Sequence, residues 1–215
     1  LMYNGVALQS GTSHYFGQKF SKAYDIKYTS RDNKLEYPYQ TSWGVSTRMM
    51  GALIMVHSDD YGLVLPPRIA PRKVVIIPIN NTMEVMSLAN DYLDKLKKEG
   101  IEAYIDNSDK SAGYKFAEAE VLGIPIRIEI GKRDLENDMI TLVRRDTREK
   151  MQVFTNTDII HDVKVLLEDI QRDMYDRALR RREEMTYTCT DIENFKNIIN
   201  NRPGFVKAMW CGDSE

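Results

Sequence analysis

Along the chain the spacing of apolar positions changes character near residue 72. Over residues 1–65 it never settles into a helical period: 20–29 alternates in part, 37–43 mixes aromatic and polar side chains, and 48–57 is almost continuously apolar. A short apolar run of that kind reads as a strand buried on both faces, so this stretch is predicted to be strands joined by loops in an antiparallel-rich sheet. Ser58-Asp59-Asp60-Tyr61-Gly62 supplies a turn, and 63–71, with three prolines, reads as an extended linker.

Beyond it, 73–78 is a short buried strand, and 83–99 carries Val85, Leu88, Ala89, Tyr92, Leu93 and Leu96 at helical spacing until Gly100 stops it. A second strand over 101–105, a helix over 113–122 ended by Gly123 and a third strand over 124–130 follow, with 139–145 and 150–154 as a closing pair. That alternation predicts a small α/β domain with helices against a mixed sheet. A long helix over 158–184 comes next, with Ile159, Val163, Leu166, Leu167, Ile170, Met174 and Leu179 in one stripe and Arg180-Arg181-Arg182 near its end. The basic end complements the helix dipole, which favours a solvated face over RNA contact. The fold class is therefore α/β (α+β), in three segments: 1–70, 71–156 and 157–215.

Composition narrows this picture. In 215 residues, 42% hydrophobic content is enough for a packed core. The 30 basic and 32 acidic side chains leave a net charge of −2 and a pI near 6.0, so any RNA contact must come from local patches. The apolar runs fall far short of the ~20 residues that span a bilayer, and the expected location is the cytoplasm. Two cysteines, Cys189 and Cys211, make no disulfide framework. The chain opens inside patterned sequence and stops just after Trp210-Cys211, so it is expected to be a piece of a longer polypeptide.

Candidate chemistry concentrates in three segments: Gln9-Ser10-Gly11-Thr12-Ser13-His14, Gln40-Thr41-Ser42-Trp43-Gly44 and Ser46-Thr47-Arg48. Small hydroxyl residues beside glycine allow close approach of a polar ligand. An arginine opening a buried strand would cost several kcal/mol unless paired, so Arg48 calls for an anion or a planar partner. By itself Arg48 is equally a salt-bridged structural residue and a nucleotide clamp. A lone His14 is more often structural or superficial, and Trp43 more often core.

Taken in order, Thr12-Ser13-His14, Phe20-Ser21-Lys22, Gln40-Thr41-Ser42-Trp43-Gly44, Arg48 and the run from Met55 to Pro67 resemble the prolyl-tRNA synthetases of the eukaryotic and archaeal type, and the resemblance runs over essentially the whole chain. It implies that 1–70 is the last part of a class II catalytic domain, with Arg48 the motif 3 arginine. It places Gln9, Thr12, Ser46 and Arg48 at ATP, and His14, Ser42 and Trp43 at the bound proline, Trp43 as an aromatic wall. A guanidinium suits ATP because it stacks on a base and donates to phosphate. A proline pocket must select by apolar fit and discriminates poorly among amino acids of similar size. The implied reaction is ATP-dependent activation of L-proline, with Mg2+ on the phosphates, followed by transfer to tRNA(Pro). Class II motifs 1 and 2 would precede Leu1, so the chain alone is expected not to activate proline, and homodimerisation is expected through the missing N-terminal part.

Residues 71–156 resemble the anticodon-binding domain of class IIa synthetases, through 113–120 and 124–134. The resemblance implies Glu120 on a guanine edge, Phe116 stacking on a base, and Arg127 and Arg133 on guanine or phosphate, with Arg145, Arg148 and Lys150 as weaker phosphate candidates. Core packing is an equal reading of Phe116. Residues 157–215 would hold the long helix and the start of a zinc-type domain, but Cys211 alone cannot complete a four-coordinate site, so no zinc is expected. Cys189 reads as a packing or surface thiol. Two rivals remain: another class IIa synthetase, and a non-catalytic tRNA-binding protein derived from one.

Overall fold

A computed structural model of the chain describes residues 1–2, 4–210 and 212. Its packing defines two units, Ala7–Ala52, and Leu1–Val6 together with Leu53–Glu215.

The first unit follows the order β1 (Gly11–Gly17), α1 (Lys19–Ala23), β2 (Tyr28–Thr29), β3 (Leu35–Glu36), β4 (Gln40–Val45) and the start of α2 (Arg48–His57). β1 and β4 pair antiparallel, with Thr12 opposite Gly44, Ser13 opposite Trp43 and His14 opposite Ser42. β2 and β3 form a hairpin whose Asn33 takes the left-handed conformation that asparagine tolerates.

Two sequence expectations fail in this part of the chain. The apolar run 48–57 is a helix, not a buried strand. Met49, Met50, Ala52, Leu53 and Met55 are strong helix formers, and only Ile54 and Val56 are β-branched, so propensity decides where a short apolar run is ambiguous. No residue of α2 is buried, so Arg48 is an exposed side chain at a helix start and the desolvation cost argued for it does not arise. The partial alternation over 20–29 also misleads. Phe20 packs edge-on to Phe16 and lies 6.4 Å from Tyr24, a helical i, i+4 pair. Ser21, fully buried, donates to the Pro38 carbonyl at 2.8 Å and anchors α1 beneath the chain entering β4.

The second unit is built on β5 (Val74–Pro78), α3 (Met83–Lys98), β6 (Ala103–Ile105), α4 (Ala112–Val121), β7 (Ile126–Ile130), α5 (Lys132–Leu135), β8 (Met139–Arg144), β9 (Lys150–Phe154) and α6 (Ile159–Glu184). The sheet order is β6-β5-β7-β8-β9, with β5 parallel to β6 and β7, and β8 antiparallel to both of its neighbours. This is the mixed α/β sheet expected. Alternation along β5 feeds two cores: Val74 and Ile76 pack with α3 and α6, while Val75 and Ile77 pack with Ala119 of α4, Ile124 and Phe116. The α6 stripe is buried from Ile159 to Met174, each such side chain contributing about 1.5–3 kcal/mol. Thr82, Ser111 and Asp158 accept from the first-turn amides of α3, α4 and α6.

The proline-rich stretch 63–71 is not a solvated linker. Val64 and Ala70 are buried, and Leu63 N donates to the Val121 carbonyl at 3.1 Å, because the apolar Leu63-Val64-Leu65 gives the segment a face to pack. Past α6, β10 (Thr186–Thr188), α7 (Ile192–Asn201) and β11 (Phe205–Lys207) form a small parallel β-α-β unit. Its three-residue strands carry too little alternation to be read from sequence. Cys189 is buried there, with Sγ 3.7 Å from the Lys207 carbonyl. Cys211 lies outside the described residues. Among the described residues no group of three or more His, Cys, Asp or Glu side chains converges to hold a metal, and no helix is long and apolar enough to cross a membrane.

Candidate functional site

The first unit gathers Gln9, Ser10, Gly11, Thr12, Gly44, Val45, Ser46 and Arg48 around an open cleft of about 360 Å³. All four residues expected at ATP therefore line one cavity. Three elements bring them there: the segment entering β1, the end of β4, and the first residue of α2. Arg48 Nη1 lies 3.4 Å from both the side-chain and main-chain oxygens of Gln9, and Gln9 Nε2 donates to Thr12 Oγ1 at 2.8 Å. The Arg48 amide is 3.4 Å from Ser46 Oγ. Bonds of that length leave the guanidinium available to a stronger acceptor. The first-turn amides of α2 are turned back onto Ser46 and Thr47, so the positive charge offered to a ligand here is that of the guanidinium. A Cβ at Gly44 would meet no protein atom within 4 Å, so the glycine leaves room that the protein itself does not fill. The cleft suits an anion carrying a planar group.

Facing residues of an antiparallel pair share a side, and neighbours along a strand alternate. Thr12, His14, Ser42 and Gly44 therefore stand on one face of β1 and β4, and Ser13 and Trp43 on the other. Trp43 is neither core nor beside His14; it is 78% exposed on the opposite side. His14 stacks on Phe16 instead, with ring centroids 5.4 Å apart.

In the second unit, α4 and β7 assemble an ionic cluster. Phe116 and Glu120, four residues apart, share a face of α4. Arg127, only 6% exposed, donates Nε to Glu129 at 2.8 Å and Nη1 to the Glu120 carboxylate at 3.2 Å and the Phe116 carbonyl at 3.3 Å. Its guanidinium also lies 4.5 Å from the Phe116 ring centroid. Lys150 reaches Glu129 at 3.3 Å and approaches the same ring. Phe116, Glu120 and Arg127 are thus brought together; Arg133, exposed on α5, is not part of the cluster. Arg145 is buried and paired with Asp59, which rules it out as a phosphate contact, and it holds the Asp59 carboxyl below its ordinary pKa. Sequence reading missed Glu129 and Asp59. Glu129 had a signal: on a strand buried along its whole length, Arg127 and Glu129 point the same way and must neutralise each other. Asp59 had none, since it faces Arg145 across 86 residues.

Residues 73–164 match the anticodon binding domain family. The whole chain is 50% identical to a proline–tRNA ligase of Ruminiclostridium cellulolyticum and covers 45% of that protein. A proline–tRNA ligase of Clostridium botulinum is 51% identical over 99% of the chain, which covers 44% of it. Among solved structures, prolyl-tRNA synthetase from Cryptosporidium parvum, complexed with L-proline and AMP, superposes with a TM-score of 0.90 over 97% of the chain at 36% identity, the match covering 45% of that protein. The chain thus spans a little under half the length of these relatives.

Proposed function

Because the chain belongs to the prolyl-tRNA synthetase family, we propose that it supplies the ATP cleft edge and the anticodon reader of a proline–tRNA ligase. The observation that carries this is the convergence of Gln9, Thr12, Ser46 and Arg48 on one cavity. In the proposed reaction the proline carboxylate attacks the α-phosphorus of ATP and pyrophosphate leaves. The 3′-terminal ribose hydroxyl of tRNA(Pro) then attacks the prolyl carbonyl and AMP leaves. Arg48 stacks on the adenine and donates to phosphate oxygens while Gln9 and Thr12 hold it in place, so the chain contributes positioning and charge stabilisation. His14 and Ser42, on the face that Thr12 also occupies, meet the amino acid; Trp43, on the other face, does not. A solved relative was crystallised with L-proline and AMP, the amino acid and the nucleotide product that this reading assigns to the unit.

Glu120 accepts from the N1 and N2 donors of an anticodon guanine, Phe116 stacks beside it, Arg127 orients the Glu120 carboxylate from below, and Arg133 meets the RNA further out. Functionally the chain divides near residues 70 and 156, into the catalytic segment, the anticodon domain and the C-terminal module; by packing, 53–70 goes with the anticodon domain. ATP in such reactions carries Mg2+, but among the described residues that line the cleft there is no carboxylate, the ligand Mg2+ takes from proteins, so these residues do not hold the ion themselves. The whole enzyme is proposed to be cytoplasmic and homodimeric. Proline-dependent ATP–pyrophosphate exchange by the full-length protein is the test. Arg48→Ala is expected to lower it at least ~100-fold. Exchange at the unsubstituted rate would sink the ATP assignment.

A further inference from the structure

The turn that leaves α2 is fastened to the helix that carries Glu120. Arg145, its side chain 2% exposed, donates Nη2 and Nη1 to Asp59 at 2.6 and 2.8 Å and Nε to the Glu120 carbonyl at 2.9 Å. Gly62, at φ +136, comes so near α4 that a Cβ there would lie 2.4 Å from Val121 Cα. Tyr61 N donates to Asp59 Oδ1 at 2.9 Å. A turn held this firmly presents one large side chain outward: Tyr61, 51% exposed. The guanidinium of Arg148, from the turn joining β8 to β9, lies 3.8 Å from its ring centroid. Arg148 itself is exposed and holds φ +61, a left-handed conformation that side-chain-bearing residues rarely adopt.

A planar cation lying over an aromatic ring, with both side chains exposed, is a surface on which an unpaired base stacks. The tyrosine beneath orders the guanidinium beforehand, so little side-chain freedom is lost on binding. Asp60, exposed on the same turn, repels a phosphate, which favours a base as the occupant. We propose that Tyr61 and Arg148 form a further RNA subsite, which stacks an unpaired nucleotide flanking the one read by Glu120. The Asp59–Arg145 pair holds that subsite in register with α4. This rests on the anticodon reading given above.

The test uses the full-length protein with Tyr61→Leu, Tyr61→Phe and Arg148→Gln, measuring the KM for tRNA(Pro) in aminoacylation, proline-dependent exchange and the thermal midpoint. Tyr61→Leu and Arg148→Gln are expected to raise the tRNA KM about tenfold, and Tyr61→Phe, which keeps the ring, to stay within about twofold, with exchange and midpoint unchanged. An unchanged tRNA KM in both of the first two variants overturns the subsite, and so does a loss of exchange and midpoint in step with it. A fall of about 0.7 in the salt slope of tRNA binding by Arg148→Gln would make that residue a phosphate contact and overturn the stacking assignment. If the unsubstituted protein charges a transcript with altered anticodon guanines as well as the natural one, the anticodon reading itself fails and takes this inference with it.

Discussion

The cleft at Arg48 and the cluster at Glu120 hold their charged groups in opposite ways. Arg48 is exposed, starts a helix, and makes only 3.4 Å contacts with Gln9. Arg127 is buried and spends its donors on Glu129, Glu120 and a carbonyl at 2.8 to 3.3 Å. In the proposed function, one arginine is left with spare donors for a ligand that brings its own negative charge, and the other, satisfied within the fold, fixes the direction of the carboxylate proposed to meet the RNA. Binding an anion and reading a hydrogen-bond pattern require different things of the same residue type: the first needs a free charge, the second needs immobile geometry.

The contrast breaks most severely at Arg127. Arg127→Met leaves Glu129 and Glu120 without their shared partner in a buried site, and is expected to cost about 3–5 kcal/mol in urea denaturation. Arg127→Met with Glu129→Gln should recover part of that loss, because the coupling lies between those two groups. Arg48→Ala should change stability by no more than ~0.5 kcal/mol while removing exchange activity. A destabilisation comparable to that of Arg127→Met would mean that Arg48 is structural, and the contrast would be lost.

Legibility in the sequence follows the same divide. The five-stranded unit was readable because its elements are long enough to show a period and its punctuation is local: Gly100 and Gly123 end helices where expected, and Asp158 caps α6. The first unit was not. Its α1 has five residues, and its α2 is apolar without a buried face, so neither pattern nor length separates helix from strand. The four residues expected at ATP, Gln9, Thr12, Ser46 and Arg48, do line one cavity, but Arg48 stands there as an exposed side chain at a helix start, not as a buried charge. Residues 48–57 form a helix with no buried residue, so the strand that would have buried Arg48 is absent. Trp43 shows a different limit: three residues in a row name a motif, but only cross-strand register tells which of them face the same way.

A smaller effect is expected at Asp59. Arg145 holds its carboxyl below the ordinary range, so the folded state gains stability at pH values above the unfolded pKa of about 3.9, and loses it as pH falls through the depressed folded value. Asp59→Asn removes this dependence and leaves the buried Arg145 with a weaker partner, at about 1–3 kcal/mol. If acid unfolding of Asp59→Asn follows the same curve as the unsubstituted protein, the clamp on α4 is not electrostatic.

The smallest effect tests whether α2 carries any of the second unit's rigidity. His57 ends that helix, and burial pushes its imidazole pKa down, with the charges of Arg177 and Arg181 adding to the shift. Arg181 also donates to the Val56 carbonyl at 3.1 Å, so the helix end is bonded to α6. A depressed folded pKa means that the unfolded chain takes up the proton first. The His57 contribution is therefore present in full above about pH 6.5 and is lost as pH falls through the lower folded value. That window lies above the one set by Asp59, so the two separate in a single titration. The urea midpoint should drop between pH 7.5 and 5.5, and His57→Gln should flatten the drop. An equal drop in the variant would mean that the protonated imidazole is tolerated beside both arginines, and that the end of α2 opens to solvent instead of resting on α6.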